Sequence, residues 1–166
     1  MIFNNVNDLS NFISQKKLEN PEIKVVTTSG GFDPLHVGHL RCLQGSSKIK
    51  DELGPNCMFI VIANADGFLL NKKGFVFMPE SERIEILQGI RGVDHVVPWF
   101  DGTQTCIGAI EALKPDIFTK GGDRTSRENI PEADMCDKVG CKIVFNVGGG
   151  KVQSSSWLAE NSSKNV

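Results

Sequence analysis

The sequence predicts an α/β chain in which a central, mainly parallel five-stranded sheet lies between two layers of helices. Two observations carry this. Strand-like apolar runs alternate with helix-period segments along the whole chain, and this alternation implies a parallel sheet with right-handed crossovers. The run Met58-Phe59-Ile60-Val61-Ile62-Ala63 has no polar interruption, as a strand buried on both faces requires.

Each element follows from local pattern. Val6, Leu9, Phe12 and Ile13 recur at helical spacing and predict an amphipathic N-terminal helix that Glu19-Asn20-Pro21 ends. Lys24 to Thr28 is the first strand, and Leu40, Leu43 and Ile49 continue a helix to about Glu52, where Leu53-Gly54-Pro55 breaks it. After the second strand, Met58 to Ala63, the segment from Asn64 to Gly74 reads as a loop. Glu80 to Arg91 is a helix and Val93 to Val97 a strand; a helix from about Thr105 to Leu113 precedes the strand Asp116 to Thr119. Ala133 to Val139 is helical, Lys142 to Val147 is the last strand, and Ser154 caps a short final helix. No repeat, linker or low-complexity tract divides the chain, so residues 1–22 form an N-terminal helical extension of one domain spanning 23–166.

Composition excludes several functions. A chain of 166 residues can bury a proper core as one domain. A net charge of −2 with interspersed signs gives no field for nucleic acid. No apolar run is long enough to cross a membrane and the polar N-terminus is unlike a signal peptide, which places the protein in the cytoplasm. The five cysteines are scattered and odd in number, and read as reduced core thiols.

The densest chemistry lies in Ser29-Gly30-Gly31-Phe32-Asp33-Pro34-Leu35-His36-Val37-Gly38-His39, at a junction between strand and helix. His36 and His39, three apart on a helical turn, project from one face, so both imidazoles can reach one small ligand. Gly38 removes a side chain that would keep a phosphate from the backbone. The free amides and dipole of the helix start favour an anion, and imidazole donates to phosphate oxygens near neutral pH. The pair thus suits a phosphorus centre on which negative charge builds. The competing reading, half of a zinc site, lacks ligands: there is no Cys-x-x-Cys, no His-Glu-x-x-His, and His95 is the one other histidine. No metal site is assigned.

At these residues Gly-Gly-Phe-Asp-Pro-Leu-His-Val-Gly-His resembles the His-x-Gly-His signature of the cytidylyltransferase-like nucleotidyltransferases. Met78-Pro79-Glu80-Ser81-Glu82-Arg83 and Ile90 to Pro98 resemble the substrate-arginine helix and following strand of glycerol-3-phosphate cytidylyltransferases and heptose-1-phosphate adenylyltransferases. Lys120-Gly121-Gly122-Asp123 resembles the heptose enzymes in particular, and Ser154-Ser155-Ser156 stands where the family has Ser-Thr-Thr. The likeness runs in order from about Val25 to Leu158.

The resemblance implies a Rossmann-like three-layer fold and a homodimer. It also implies transfer of AMP or CMP from ATP or CTP, with Mg2+, to a small sugar or polyol phosphate, releasing pyrophosphate. The alternatives are a glycerol-3-phosphate or phospho-alcohol cytidylyltransferase and a nucleotide-sensing domain. By the same resemblance His36 and His39 hold phosphates and stabilise the transition state, Lys72 binds phosphate with Lys73 as its rival, and Arg83 grips the acceptor's phosphate. Gly30, Gly31, Phe32 and Gly38 supply backbone near the triphosphate; Lys120, Gly121, Gly122 and Asp123 face the nucleotide; Ser154, Ser155 and Ser156 offer hydroxyls to the outer phosphates. Asp33 and Asp66 read equally as ligands and as turn residues. Arg124 replaces the aromatic residue common in the heptose enzymes, and Trp157 reads as packing, with stacking near the nucleotide as its alternative.

Overall fold

Strand residues are buried whichever way they point: Val25 and Val26, Phe59 to Ala63, Val96 and Val97, and Phe118 lose nearly all contact with solvent. Such strands need helices on both faces. The structure, a computed structural model, describes residues 1–122 and 124–164. Its sheet contains β1 (Lys24–Gly30), β2 (Cys57–Asn64), β3 (His95–Trp99), β4 (Ile117–Gly121) and β5 (Lys142–Val147) in the order β3-β2-β1-β4-β5. Every pairing is parallel, from Lys24↔Cys57 and Val26↔Ile117 at the sheet's centre to Ile60↔His95 and Ile117↔Lys142 at its edges. The fold is thus α/β and Rossmann-like.

The alternation of side chains along each strand sorts the interior into two layers. On one face Val25, Ile60, Ile62 and Phe118 meet α1 (Val6–Glu19), α5 (Ile107–Leu113) and α6 (Ala133–Val139). On the other, Val26, Phe59, Val61 and Val96 meet α2 (Val37–Leu53) and α4 (Glu80–Gly89). The chain moves outward from β1 through β2 to β3, then returns to place β4 on the far side of β1. This reversal makes the carboxyl ends of β1 and β4 the place where an open parallel sheet leaves a crevice.

One expectation needs correction. The segment from Asn64 to Gly74 contains a helix, α3 (Asp66–Lys73), closed by Gly74 in the left-handed conformation at φ 80°. Its eight residues are too few to show a periodicity, and Asn-Ala-Asp-Gly at its start has the composition of a turn. Tertiary contact supplies what local propensity lacks: Phe68 and Leu69 are buried, and Glu80 accepts the Asp66 amide that no local cap satisfies. A short 3-10 turn, Arg127–Asn129, also precedes α6 without warning from the sequence.

The N-terminal segment is built into the domain. Ile2 bridges Val96, the Phe3 amide donates to Val96 O at 2.9 Å, and Met1's ammonium reaches Asp94 O. Val6, Leu9 and Ile13 belong to the same core as β1 and β2, and Ser10 Oγ donates to Ala112 O in α5. Among the described residues no helix is long and apolar enough to cross a membrane. Because Leu9 is fully buried, Leu9→Ala should lower global unfolding free energy by about 2–5 kcal/mol. Urea denaturation should show this as an earlier midpoint in one transition; an unchanged midpoint would mean that α1 unfolds separately.

Candidate active site

The loops after β1, β2, β4 and β5 meet beyond the strand ends around a cavity of about 480 Å³, a size suited to a small-molecule ligand. The segment before α5 joins them through Gln104, Thr105 and Cys106, which the sequence pattern does not predict.

At the start of α2 the two histidines cap the helix for each other. His36 Nδ1 accepts the amides of Gly38 at 3.0 Å and His39 at 3.4 Å, and His39 Nδ1 accepts the His36 amide at 3.3 Å. This is a capping box made of imidazoles. The rings stack with centroids 3.7 Å apart and 21° between planes, and Phe32 sets its edge against His39. Because each Nδ1 accepts a hydrogen bond, each neutral ring carries its proton on Nε2. The wall of the crevice thereby gains two oriented N–H donors. Burial pushes His39 down to about 4, with the neighbouring His36 adding to the effect; burial and then the charge of Lys151 lower His36. Both rings are neutral at physiological pH.

Gly38 has a different role from the one its position suggests. A Cβ there would stand 2.8 Å from His36 Cε1, so the missing side chain makes room for the imidazole rather than for phosphate alone.

Gly30, Gly31, Phe32, Lys72, Lys120, Gly121, Gly122 and the three serines all line the cavity. Phe32 is buried with φ at 53°, a left-handed conformation that turns the chain sharply after β1. Lys120 Nζ lies 3.3 Å from Ser29 Oγ and over the Phe118 ring. Ser154 Oγ accepts the Trp157 amide at 3.0 Å as N-cap of α7 (Ser155–Ser162), and Ser155 Oγ donates to Pro34 O at 2.9 Å. Asp123 falls outside the described residues. Trp157, read from sequence as packing, is 55% exposed.

Asp33, Asp66 and Arg83 do not line the cavity. Arg83 is fully buried, and its guanidinium donates to Met78 O at 2.9 Å, Gly31 O at 2.8 Å, Asn64 O at 2.6 Å and Asp66 Oδ1 at 2.7 Å. With its donors turned to the protein, it braces the crevice instead of gripping an acceptor phosphate. Asp66 serves as its counter-ion. Asp33 accepts the Phe77 and Met78 amides and pairs with Lys73 at 2.8 Å. Burial works to raise the Asp33 carboxyl, but Lys73 and the two amides outweigh it and hold it below the ordinary range. Asp33 therefore pins the loop before α4, and Lys73 is spent there, leaving Lys72 as the lysine of this segment that reaches the cavity.

Sequence reasoning passes over Glu132, which lines the cavity at 5% exposure beside Cys106. An acid after a proline at a helix start is indistinguishable from a cap until the fold puts it there. Among the described residues no group of three or more histidine, cysteine or acidic side chains is placed to hold a metal ion.

Two outcomes follow from this geometry. Arg83→Met should cost about 3 kcal/mol or more in chemical denaturation, because it strands Asp66 and several buried carbonyls; undiminished stability would return Arg83 to a substrate role. For His39, the unfolded chain takes up a proton near pH 6.5 and the folded one near 4, so folding stability is lost as pH falls through that window. His39→Asn should therefore show a shallower decline in melting temperature from pH 6.5 to 4.5 than the parent protein.

Comparisons with known proteins place the chain in a family. The family model described as cytidylyltransferase-like matches residues 27–142. The bifunctional protein HldE of Geobacter metallireducens is 32% identical over 164 residues, covering 98% of this chain and 29% of that protein. HldE of Hyphomonas neptunium is 37% identical over 125 residues, 74% of this chain and 24% of that protein. The chain thus spans about a quarter of the length of these curated relatives. The crystal structure of the lipopolysaccharide core biosynthesis protein from Thermoplasma volcanium matches with a TM-score of 0.59 and 26% identity, over 75% of this chain and 96% of that one. With a family model covering most of β1 to the start of β5, on a parallel sheet whose strand order reverses beside β1, the chain belongs to the cytidylyltransferase-like family.

Proposed function

We propose that the chain transfers a nucleoside monophosphate, AMP by preference and CMP as the alternative, from a nucleoside triphosphate to a small sugar or polyol phosphate. The observation that carries this reading is the pair of Nε2–H donors of His36 and His39 on the wall of a crevice that also holds Lys72, Lys120 and the serines of α7. An oxygen of the acceptor's phosphate attacks the α-phosphorus. The bond from the α-phosphorus to the bridging oxygen breaks, and pyrophosphate leaves with that electron pair. The attacking group arrives ionised, so neither a protein nucleophile nor a general base is required, and catalysis rests on positioning and charge stabilisation.

His36 and His39 supply the stabilisation. Their orientation is set by backbone amides before substrate arrives, so little reorganisation is needed as charge develops. Lys72 near the end of α3 and Lys120 at the carboxyl end of β4 bring positive charge, and the amides at the start of α7 suit the outer phosphates. Glu132 is the sole carboxylate among the described residues of the lining, too few for a protein cage, so Mg2+ fits here as an ion carried on the triphosphate by its oxygens and water. Bound there it would neutralise phosphate charge. The likeness of Lys120-Gly121-Gly122-Asp123 to the heptose enzymes supports adenine and a sugar acceptor, and the family resemblance supports a cytoplasmic homodimer.

A pyrophosphate-release screen of ATP, CTP, GTP and UTP against sugar and alcohol phosphates, with magnesium, should give turnover with ATP or CTP. Nucleotide binding without turnover of any pair would leave a sensing domain instead. His39→Asn keeps an acceptor for the His36 amide but loses the Nε2–H donor, and should lower kcat about 100- to 1,000-fold. An unchanged kcat would remove His39 from the mechanism.

A further inference from the structure

Glu132 is buried, charged and only half satisfied. Oε1 accepts the Cys106 amide at 3.0 Å and the Cys106 thiol at 3.2 Å. Burial, followed by the Glu132 charge, pushes that thiol up to about 12, so it stays protonated and donates. Oε2 is buried and has no hydrogen-bond partner among the described residues. Burial works to raise the carboxyl, yet the charge of Lys120 and the Cys106 bonds hold it below its ordinary value, so Glu132 remains a carboxylate. A buried oxygen of that kind forfeits a bond unless something else donates to it.

Its place in the crevice says what the donor is. Gln104, Thr105, Lys120 and Asn129 line the same cavity and offer hydrogen-bonding groups, and the charge of Lys120 acts on Glu132 directly. Lys120 close by disfavours a cationic ligand. The histidines and the serines of α7 belong to other loops, and an in-line displacement sets the attacking group opposite the leaving pyrophosphate. We propose that Glu132 is a specificity residue for the acceptor, its Oε2 receiving a hydrogen bond from a hydroxyl on the carbon skeleton of a polyhydroxylated phosphate. This rests on the reaction proposed above. Oε2 is shielded from water by the surrounding wall, so the bond closes as the wall adjusts to the ligand, as site hydrogen bonds commonly tighten in the complex.

Glu132→Gln tests this. The Cys106 donors keep the amide oxygen on the inner side, which turns the outer acceptor into an NH2 donor of equal size. Pyrophosphate release would be measured with six- and seven-carbon aldose 1-phosphates, glycerol 3-phosphate and propyl phosphate, together with monodeoxy analogues of whichever compound is turned over. The expected result is a rise of about 10- to 100-fold in KM for the polyhydroxylated acceptor, with the nucleotide KM unchanged. In the parent protein one monodeoxy analogue should show a loss of similar size, and that loss should vanish in Glu132→Gln. A shifted nucleotide KM, or equal use of all monodeoxy analogues by the parent protein, would overturn the proposal. The second measurement needs no variant and holds even if Glu132→Gln fails to fold. No turnover of any phosphate by the parent protein would instead sink the nucleotidyl transfer to sugar or polyol phosphates on which the proposal rests.

Discussion

From the first turn of α4, the guanidinium of Arg83 ties together the carbonyl of Gly31 after β1, that of Asn64 at the end of β2, the carboxylate of Asp66 at the start of α3 and the carbonyl of Met78 before α4. The adjoining ends of β1 and β2, the start of α3 and the approach to α4 are thereby held by one planar cation. Arginine suits this because its donors diverge in a rigid fork, whereas an ammonium could not span the same acceptors. A fully buried charge is tolerable only when paired and hydrogen-bonded, and here the partly exposed Asp66 gives the pair a wet side. The mouth of the crevice is defined because this cluster is closed.

The second constraint is the histidine cap. In most helices a hydroxyl or carboxylate satisfies the first amides, and its side chain is consumed by the task. Here the ring nitrogen that caps is not the one available to a ligand, so one residue can terminate the helix and still present a donor. The fold thereby gets stability and an oriented site from the same bonds. Depressed basicity follows from the same packing, since stacked, buried rings cannot both accept protons cheaply.

Much of this was legible in the chain. Apolar runs at Met58 to Ala63 and the helical spacing of Val6, Leu9 and Ile13 announce their elements because burial on two faces and on one stripe leave distinct patterns. The segment from Ser29 to His39 announces the site because its residue types have few other uses together. Helix α3 was illegible, since its stability comes from Phe68 and Leu69 meeting a core built elsewhere and from a cap supplied by Glu80. The role of Arg83 was illegible for a related reason: an arginine beside a phosphate site and an arginine under it have the same sequence signature. Glu132 carried no signal at all, and what distinguishes it is a neighbour 26 residues away.

By itself the sequence determined the order of strands and helices, the parallel character of the sheet, the family and the pair of histidines at its centre. Local patterning controls the elements and the histidine pair, whose residues lie within a turn or two of each other, and the order in which short motifs follow one another along the chain carries the rest. Only the tertiary structure decided which side chains face the crevice: it put Lys72 there and turned Lys73 to Asp33, kept Arg83 and Asp66 beneath, and brought Glu132 up beside Cys106 and Lys120. Direction and burial are set by contacts between segments far apart in the chain, and a linear pattern carries no record of them.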